Sequence, residues 1–266
     1  MIRAYLRRAW RVGRTYYFIT LLTMLIAMLF TITMLAFVIA TANPENIHGV
    51  NLPAEEAVAF VRASMSVILI GMISLFVSML SSLIVLGTIQ ADVQNGVFEM
   101  LFGNGVSDGE IIKALYLVGL SSFAVFYLLA EIITIVPLYI IIPNITYSLL
   151  ATTLLTPLGV GLFTTGLSIL IGLNKPKYFK ISTGIGSTKN LAFTLVSIPS
   201  LVILIITLII TSAVMPGVMS SFTAYLGQLN VELSVVSIIM ALASIFIALK
   251  TPVNRIGLIT RGEEVT

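Results

Sequence analysis

Long apolar runs separated by short polar segments make up most of the chain and predict six membrane-spanning helices. The runs cover residues 16–42, 57–90, 111–142, 147–173, 191–214 and 231–249. At about 1.5 Å per residue, each run is long enough to cross a hydrocarbon core of about 30 Å as a helix. The pattern therefore predicts an all-α membrane protein in which residues 1–266 form a single transmembrane domain.

The first 14 residues show a different pattern, in which apolar positions follow helical spacing on one side and arginines fill the opposite side. This arrangement predicts an interfacial helix, because its apolar side can enter the headgroup region while the arginines contact anionic lipid. The residues expected at the membrane interface are Arg3, Arg7, Trp10, Arg11 and Arg14. A positively charged flank of the first span is the alternative interpretation.

The other basic residues predict the orientation of the spans. Of the 14 lysine and arginine residues, 12 lie in the N-terminus, the loop after the fourth span and the C-terminal tail, and Lys113 lies beside the loop after the second span, which leaves only Arg62 on the other side. By the positive-inside rule, we expect a multi-pass protein of the cell membrane with both termini in the cytoplasm. Residues 215–230 are expected outside as half-inserted helical structure, and residues 250–266 as a cytoplasmic tail.

Composition limits the chemistry that the chain can perform. Hydrophobic residues make up 58% of the chain and charged residues 9%, against about 25% charged in soluble domains. There is no cysteine and only one histidine, His48, so thiol chemistry and a histidine-based metal site are not expected. Because the basic residues follow the membrane ends instead of forming a groove, nucleic-acid binding is not expected either.

The most informative polar segment is the glycine-rich loop of residues 95–110, between the second and third spans. Glycines flank a short apolar stretch that contains Glu99, and this pattern predicts a helix over residues 97–102. We expect a partner outside the bilayer to bind this helix. The candidate contact residues are Gly96, Val97, Phe98, Glu99, Met100, Leu101, Phe102 and Glu110.

The spacing in this loop resembles the cytoplasmic loop of permeases of the type 2 ATP-binding-cassette (ABC) exporters. The matching positions are Gly96, Glu99, Leu101, Val106, Ser107, Glu110 and Ile111. The resemblance implies that residues 97–102 form a coupling helix, which docks into a separate ABC ATPase subunit. It also implies a second permease copy, in a homodimer or a heterodimer, with ATP and Mg bound by the ATPase partner and no cofactor bound by this chain.

Polar residues inside two of the predicted spans are candidates for a translocation path. Ser74, Ser78 and Ser81 belong to a small, polar face of the second span. This face indicates either close helix packing or, as the resemblance implies, a path at the dimer interface. Glu131 lies deep in the third span, where we expect its carboxyl group to be protonated or hydrogen-bonded inside the bundle. A transport role and a structural role near Pro137 both remain open for it.

These observations predict the membrane-spanning permease subunit of an ATP-driven ABC exporter. The chain has no phosphate-binding loop, so it is not expected to be an enzyme by itself, and energy must come from separate ATPase subunits. The second, fifth and sixth spans carry no central charge, which favours an apolar or amphiphilic cargo such as a lipid, a drug-like compound or a hydrophobic peptide. The alternatives are a proton- or ion-coupled secondary transporter or channel using Glu131, and a non-transporting scaffold that anchors an ATPase.

Overall fold

The computed structural model describes most of the chain as a bundle of helices. The described residues are 54–141, 146–179, 191–213 and 219–260, together with 7–8, 11, 18, 22, 25–26, 29 and 33 near the N-terminus. Within these residues every regular element is helical, and five helices are long and apolar enough to cross a membrane. The protein is therefore an all-α, multi-pass membrane protein.

The described helices fall into long spanning helices and short helices at one end of the bundle. In chain order they are α1 (Ala54–Gln94), α2 (Val97–Gly103), α3 (Asp108–Ile141), α4 (Tyr147–Asn174), a 3-10 helix (Pro176–Phe179), α5 (Leu191–Ala213), α6 (Met219–Lys250) and α7 (Arg255–Ile259). The short helices α2 and α7 contact each other, and the 3-10 helix contacts α7. We call this end of the bundle the α2 end.

The predicted second to fifth spans agree with α1, α3, α4 and α5 to within a few residues. The sixth does not, because α6 begins at Met219, so that residues 219–230 of the expected half-inserted segment belong to the same helix as the span; residues 215–218 lie outside the described residues. Gly227 lies inside this helix, and a single glycine costs only about 1 kcal/mol, too little to end a helix that continues on both sides.

The predicted first span, residues 16–42, lies largely outside the described residues. Its described members include Phe18, Leu22, Ile26 and Leu29, which are helical and exposed. Their spacing of three or four residues places them on one face of a helix. An exposed apolar face of this kind is what a helix presents to lipid.

Helix α4 is the centre of the bundle, packing most extensively against α6 and α1 and also against α3 and α5. Glycines make these contacts close: a Cβ atom at Gly159 would overlap the backbone carbonyl of Ser237 in α6, and one at Gly161 would overlap the ring of Phe123 in α3. Small residues at a membrane helix interface allow backbones to approach and gain dispersion contacts. Gly159 and Gly161 therefore tighten the packing of α4 against α6 and α3.

Most buried serine and threonine hydroxyl groups among the described residues are hydrogen-bonded; the hydroxyl of Thr156 is an exception. Many donate to a carbonyl one turn earlier in their own helix, as Ser168 does to the oxygen of Thr164 at 2.7 Å. Others join helices: the hydroxyl of Thr152 donates to the carbonyl of Asn230 at 2.8 Å, and that of Ser244 to the carbonyl of Leu162 at 2.7 Å. These bonds remove the cost of placing hydroxyl groups away from water.

The approach of α4 to α6 gives a first testable prediction. Gly159→Ala should lower the free energy of unfolding by about 1–3 kcal/mol, because the added methyl group must push the Ser237 backbone away. Gly87→Ala is the matched control: Gly87 lies in α1 with no atom within 4 Å of a Cβ position, so alanine should be neutral or stabilising there. Unfolding by SDS titration of the purified protein measures both changes, and equal stability of the two variants would contradict the close contact.

Candidate functional site

The helix predicted in the glycine-rich loop is present as α2, and two glycines in the left-handed conformation set it apart from the spans. Gly96 has a φ of 65° and Gly105 a φ of 72°. The amide of Gly96 donates to the carbonyl of Val93 at 3.3 Å, so Gly96 ends α1 before it starts α2. Glycine adopts this conformation without the steric cost that other residues pay.

Backbone hydrogen bonds close the C-terminal turn of α2. The amide of Val106 donates to the carbonyl of Leu101 at 3.1 Å, and that of Gly105 to the carbonyl of Phe102 at 3.0 Å. This pair of bonds is a Schellman motif, in which the apolar residues at the two ends, here Val106 and Leu101, share one hydrophobic cluster. The turn into α3 is thus a defined structure.

The start of α3 is fixed by a capping box between Ser107 and Glu110. The carboxylate of Glu110 accepts from the amide of Ser107 at 3.2 Å and from its hydroxyl at 3.1 Å, and the Glu110 amide donates back to that hydroxyl at 3.4 Å. Helix α3 therefore begins at Asp108, before the predicted Ile111. The Ser-x-x-Glu spacing was a signal for this boundary. Glu110 is exposed, but its carboxylate is engaged in the cap.

The inner face of α2 is anchored in a hydrophobic cluster at the α2 end. The side chain of Phe98 is completely buried and that of Val97 is nearly so. The cluster joins residues of α1, α2, α3, α4, α5 and α7; its members are Val85, Leu86, Ile89, Val93, Phe98, Val106, Ile111, Leu115, Ile169, Leu173, Ala192, Val196 and Leu258. Because these side chains come from every element around α2, they fix its position in the bundle.

The outer face of α2 is small and combines an acidic side chain, that of Glu99, with an apolar one, that of Met100. Among the predicted contact residues, Glu99 and Met100 are exposed, with 59% of Met100 accessible. Gly96, Leu101 and Phe102 are partly buried, and Val97 and Phe98 face inward as anchors. Asn104 and Gly105 extend the exposed surface beyond the end of the helix. A partner docking here would therefore meet Glu99 and Met100 first.

Helix α7 is the part of this site that the sequence analysis missed, because residues 250–266 were treated only as a tail. Arg255 donates from Nε and Nη2 to one carboxylate oxygen of Asp108, at 2.8 and 2.7 Å. Its guanidinium carbon also lies 5.0 Å from the centre of the Phe102 ring. Asn254, which caps α7 by accepting from the amide of Gly257 at 3.0 Å, was a sequence signal for a helix start.

One arginine of the N-terminal segment also reaches the α2 end. Arg8 forms an ion pair of 2.9 Å with Asp92, whose side chain is 4% exposed in the last turns of α1. Arg7 and Arg11 are helical and exposed, and their place at the membrane interface stays a prediction. Arg3, Trp10 and Arg14 lie outside the described residues, and their predicted lipid contacts stay predictions.

The serines predicted to line a path are buried inside the chain. Ser74, Ser78 and Ser81 are each at most 1% exposed and donate to carbonyls of α1 itself. They share a face with Gly71, where an added Cβ atom would overlap the hydroxyl group of Thr207 in α5. The contacts within the chain thus correspond to the packing interpretation of this face, and a role in a translocation path stays a prediction.

Glu131 is 5% exposed in α3, and neither carboxyl oxygen has a hydrogen-bond partner among the described residues. Of the two expected states of this group, protonated or hydrogen-bonded inside the bundle, the described residues supply no hydrogen bond, and protonation stays a prediction. Tyr127 precedes it by one turn but donates to the carbonyl of Leu154 at 3.0 Å instead. An unpartnered carboxyl group in a membrane helix is costly, which makes Glu131 a candidate for function.

The remaining candidate chemistry is limited. The described residues contain no cluster of His, Asp or Glu side chains suited to hold a metal ion. No family model matches the chain, and no curated protein or solved structure is significantly similar to it. Function is therefore argued below from the α2 end and from Glu131.

The left-handed glycine at the end of α2 gives a second prediction. Gly105→Ala should destabilise the turn by about 1–2 kcal/mol, because a Cβ atom is unfavourable at a φ of 72°. Amide hydrogen exchange of a peptide covering residues 97–106 should accelerate accordingly. The matched control is Gly103→Ala, since Gly103 is helical with free space around its Cβ position, and there exchange should stay unchanged or slow down. Faster exchange in both variants would contradict the left-handed conformation assigned to Gly105.

Proposed function

We propose that this chain is the membrane-spanning permease subunit of an ATP-driven ABC exporter of type 2, with α2 as its coupling helix. The supporting observation is that α2 is firmly seated in the bundle while Glu99 and Met100 project from it. In this proposal two ATPase subunits dock on two permease copies, which form a homodimer or a heterodimer in the cell membrane. Both termini and the α2 end are cytoplasmic.

The seating of α2 supports a mechanical role. Only Asn95 and Gly96 separate α2 from α1, and a short hydrogen-bonded turn separates it from α3. Phe98 anchors the helix in the cluster shared with α4 and α5. A force on the outer face of α2 would therefore move the packed helices as rigid bodies, and little of the motion would be absorbed by flexible loops.

The exposed residues of α2 also define the kind of partner surface. Glu99 is the acidic residue of its first turn and is exposed beside Met100. A complementary groove would hold a basic residue for Glu99 and an apolar pocket for the adaptable Met100 side chain. We therefore expect a groove with a basic residue at its rim on the ATPase subunit.

The proposed cargo is apolar or amphiphilic, such as a lipid, a drug-like compound or a hydrophobic peptide. Buried polar side chains of α4 and α6 are mostly hydroxyl groups that donate to helix carbonyls, as Thr152 and Ser237 do. A surface whose hydroxyl groups are already engaged offers few bonds to a strongly polar solute. This supports a cargo held mainly by apolar contacts.

Charge reversal on α2 tests the proposed coupling. The tagged chain is purified in mild detergent from its native membranes, and ATP hydrolysis by the associated subunits is measured. Glu99→Arg should reduce the hydrolysis recovered with the chain by about tenfold or more, because it opposes the expected basic residue of the partner.

Lys177→Glu is the control, since it reverses an exposed charge at the same end of the bundle outside α2. It should retain the hydrolysis recovered with the unmodified chain. An unmodified chain that carries no ATP hydrolysis, or a Glu99→Arg variant that keeps all of it, would reject the proposal.

The buried carboxyl group of Glu131 supports a second candidate function, a proton- or ion-coupled secondary transporter or channel. In this alternative Glu131 carries the coupling ion and no ATPase is required. The supporting observation is that both its oxygens lack a partner among the described residues.

Proton flux into vesicles separates this alternative from the exporter. The purified chain is reconstituted without ATP, an electrical potential is imposed, and acidification is followed with a pH-sensitive dye. The alternative predicts a flux that Glu131→Gln abolishes and that Glu232→Gln, at an exposed carboxylate of α6, leaves intact. If the unmodified chain carries no flux without ATP, the secondary-transporter function is excluded.

A further inference from the structure

The contacts of α7 connect α2 to α4 and α6, which are not its neighbours along the chain. We propose that α7 is a latch that makes α2 move together with the ends of α3, α4 and α6, with Arg255 as its positioning residue. The claim that the latch transmits motion rests on the proposed coupling function of α2. The contacts of the latch can be tested in the isolated chain.

The first supporting observation is the position of α2 among its neighbours. Through the chain, α2 is joined to α1 and α3, and in space it packs mainly against α1 and α7. Helix α7 follows α6 after the four residues 251–254. A force on α2 can therefore reach α6 directly through α7.

The second observation is that α7 is bound to the end of α4. The amide of Asn254 donates to the carbonyl of Leu173 at 3.0 Å, and its side-chain amide to the carbonyl of Asn174 at 3.4 Å. Gly257 lies so close to Pro176 that a Cβ atom there would be 2.9 Å from the proline ring. Leu258, 1% exposed, belongs to the same cluster as Phe98.

The third observation is that Arg255 joins two other elements at once. It pairs with Asp108 in the first turn of α3, and its guanidinium group covers the Phe102 ring of α2. The side chains of the ion pair are 53% and 40% exposed. Exposed ion pairs and cation–π contacts are individually weak, so Arg255 sets the relative position of α2 and α3 while Leu258 supplies the burial.

The contacts are tested on the purified chain without an ATPase, by amide hydrogen exchange. Arg255→Glu should accelerate exchange in peptides covering residues 254–260 and 97–106 by about 5- to 30-fold, since it removes both contacts of the guanidinium group. Lys250→Glu makes the same charge change at an exposed residue at the end of α6 and should leave both peptides unchanged. Combining Asp108→Arg with Arg255→Asp should restore the part of the protection that the ion pair supplies, but not the part due to the contact with Phe102.

The transmission is tested in the complex with its ATPase. The chain has no cysteine, so spin labels can be attached to Asn95→Cys before the start of α2 and Lys177→Cys in the 3-10 helix, both at exposed positions. In a complex that hydrolyses ATP, the distance between the labels should be the same without nucleotide and with ATP plus vanadate. With Arg255→Glu added, the distance distribution should broaden or change between these states.

Unchanged exchange of residues 97–106 in Arg255→Glu would overturn the latch, whether or not the chain couples to an ATPase. A nucleotide-dependent label distance in the unmodified complex would show that α2 moves independently of the end of α4. That result would overturn the proposed transmission and leave the coupling function standing. The coupling function is tested separately, because it predicts loss of ATP hydrolysis in Glu99→Arg but not in Lys177→Glu.

Discussion

Close packing around α4 is the constraint on which the rest of this bundle depends. Lipid tails are as apolar as the helices, so apolar side chains gain little by leaving lipid for a neighbouring helix. Helices must then associate through dispersion and short backbone approaches. Gly159 and Gly161 provide these approaches to α6 and α3, because neither position has room for a Cβ atom. A chain with the same hydropathy but larger residues at these positions would still enter the membrane, yet it would lack this arrangement of helices.

The absence of water from the hydrocarbon core explains how polar groups are distributed inside the bundle. Hydroxyl groups fit because each can donate to a nearby carbonyl, as Ser74 does within α1 and Ser244 does across to α4. Among the described residues, side-chain oxygens of Glu131, Thr156 and Asn230 are buried without a hydrogen-bond partner. A carboxyl group costs far more than a hydroxyl group in this environment. Glu131 is therefore the group whose presence is hardest to explain by packing alone, and it is the basis of the second candidate function.

The α2 end is built on a different principle from the membrane-spanning part. Here a hydrophobic cluster with Phe98 and Leu258 is combined with glycine turns, caps and a surface ion pair, as in a soluble protein. Segments about 150 residues apart in sequence, α2 and α7, share this cluster. The combination yields a helix that presents Glu99 and Met100 while its other face is fixed. Such an arrangement suits a site that receives force, because motion of the outer face is carried into the cluster.

The sequence by itself determined the membrane class, most of the spans and the short helix α2. These depend on hydropathy and on glycine, which act locally and leave a readable pattern. It did not determine that α6 starts at Met219, because glycine and mild polarity suggested a break that the helix tolerates. Nor did it determine which face of α2 is outward, that Arg255 lies on Phe102, or that Glu131 lacks a partner among the described residues. Only the tertiary structure decided these, because each depends on which distant segment packs beside the residue, and hydropathy carries no information about that choice.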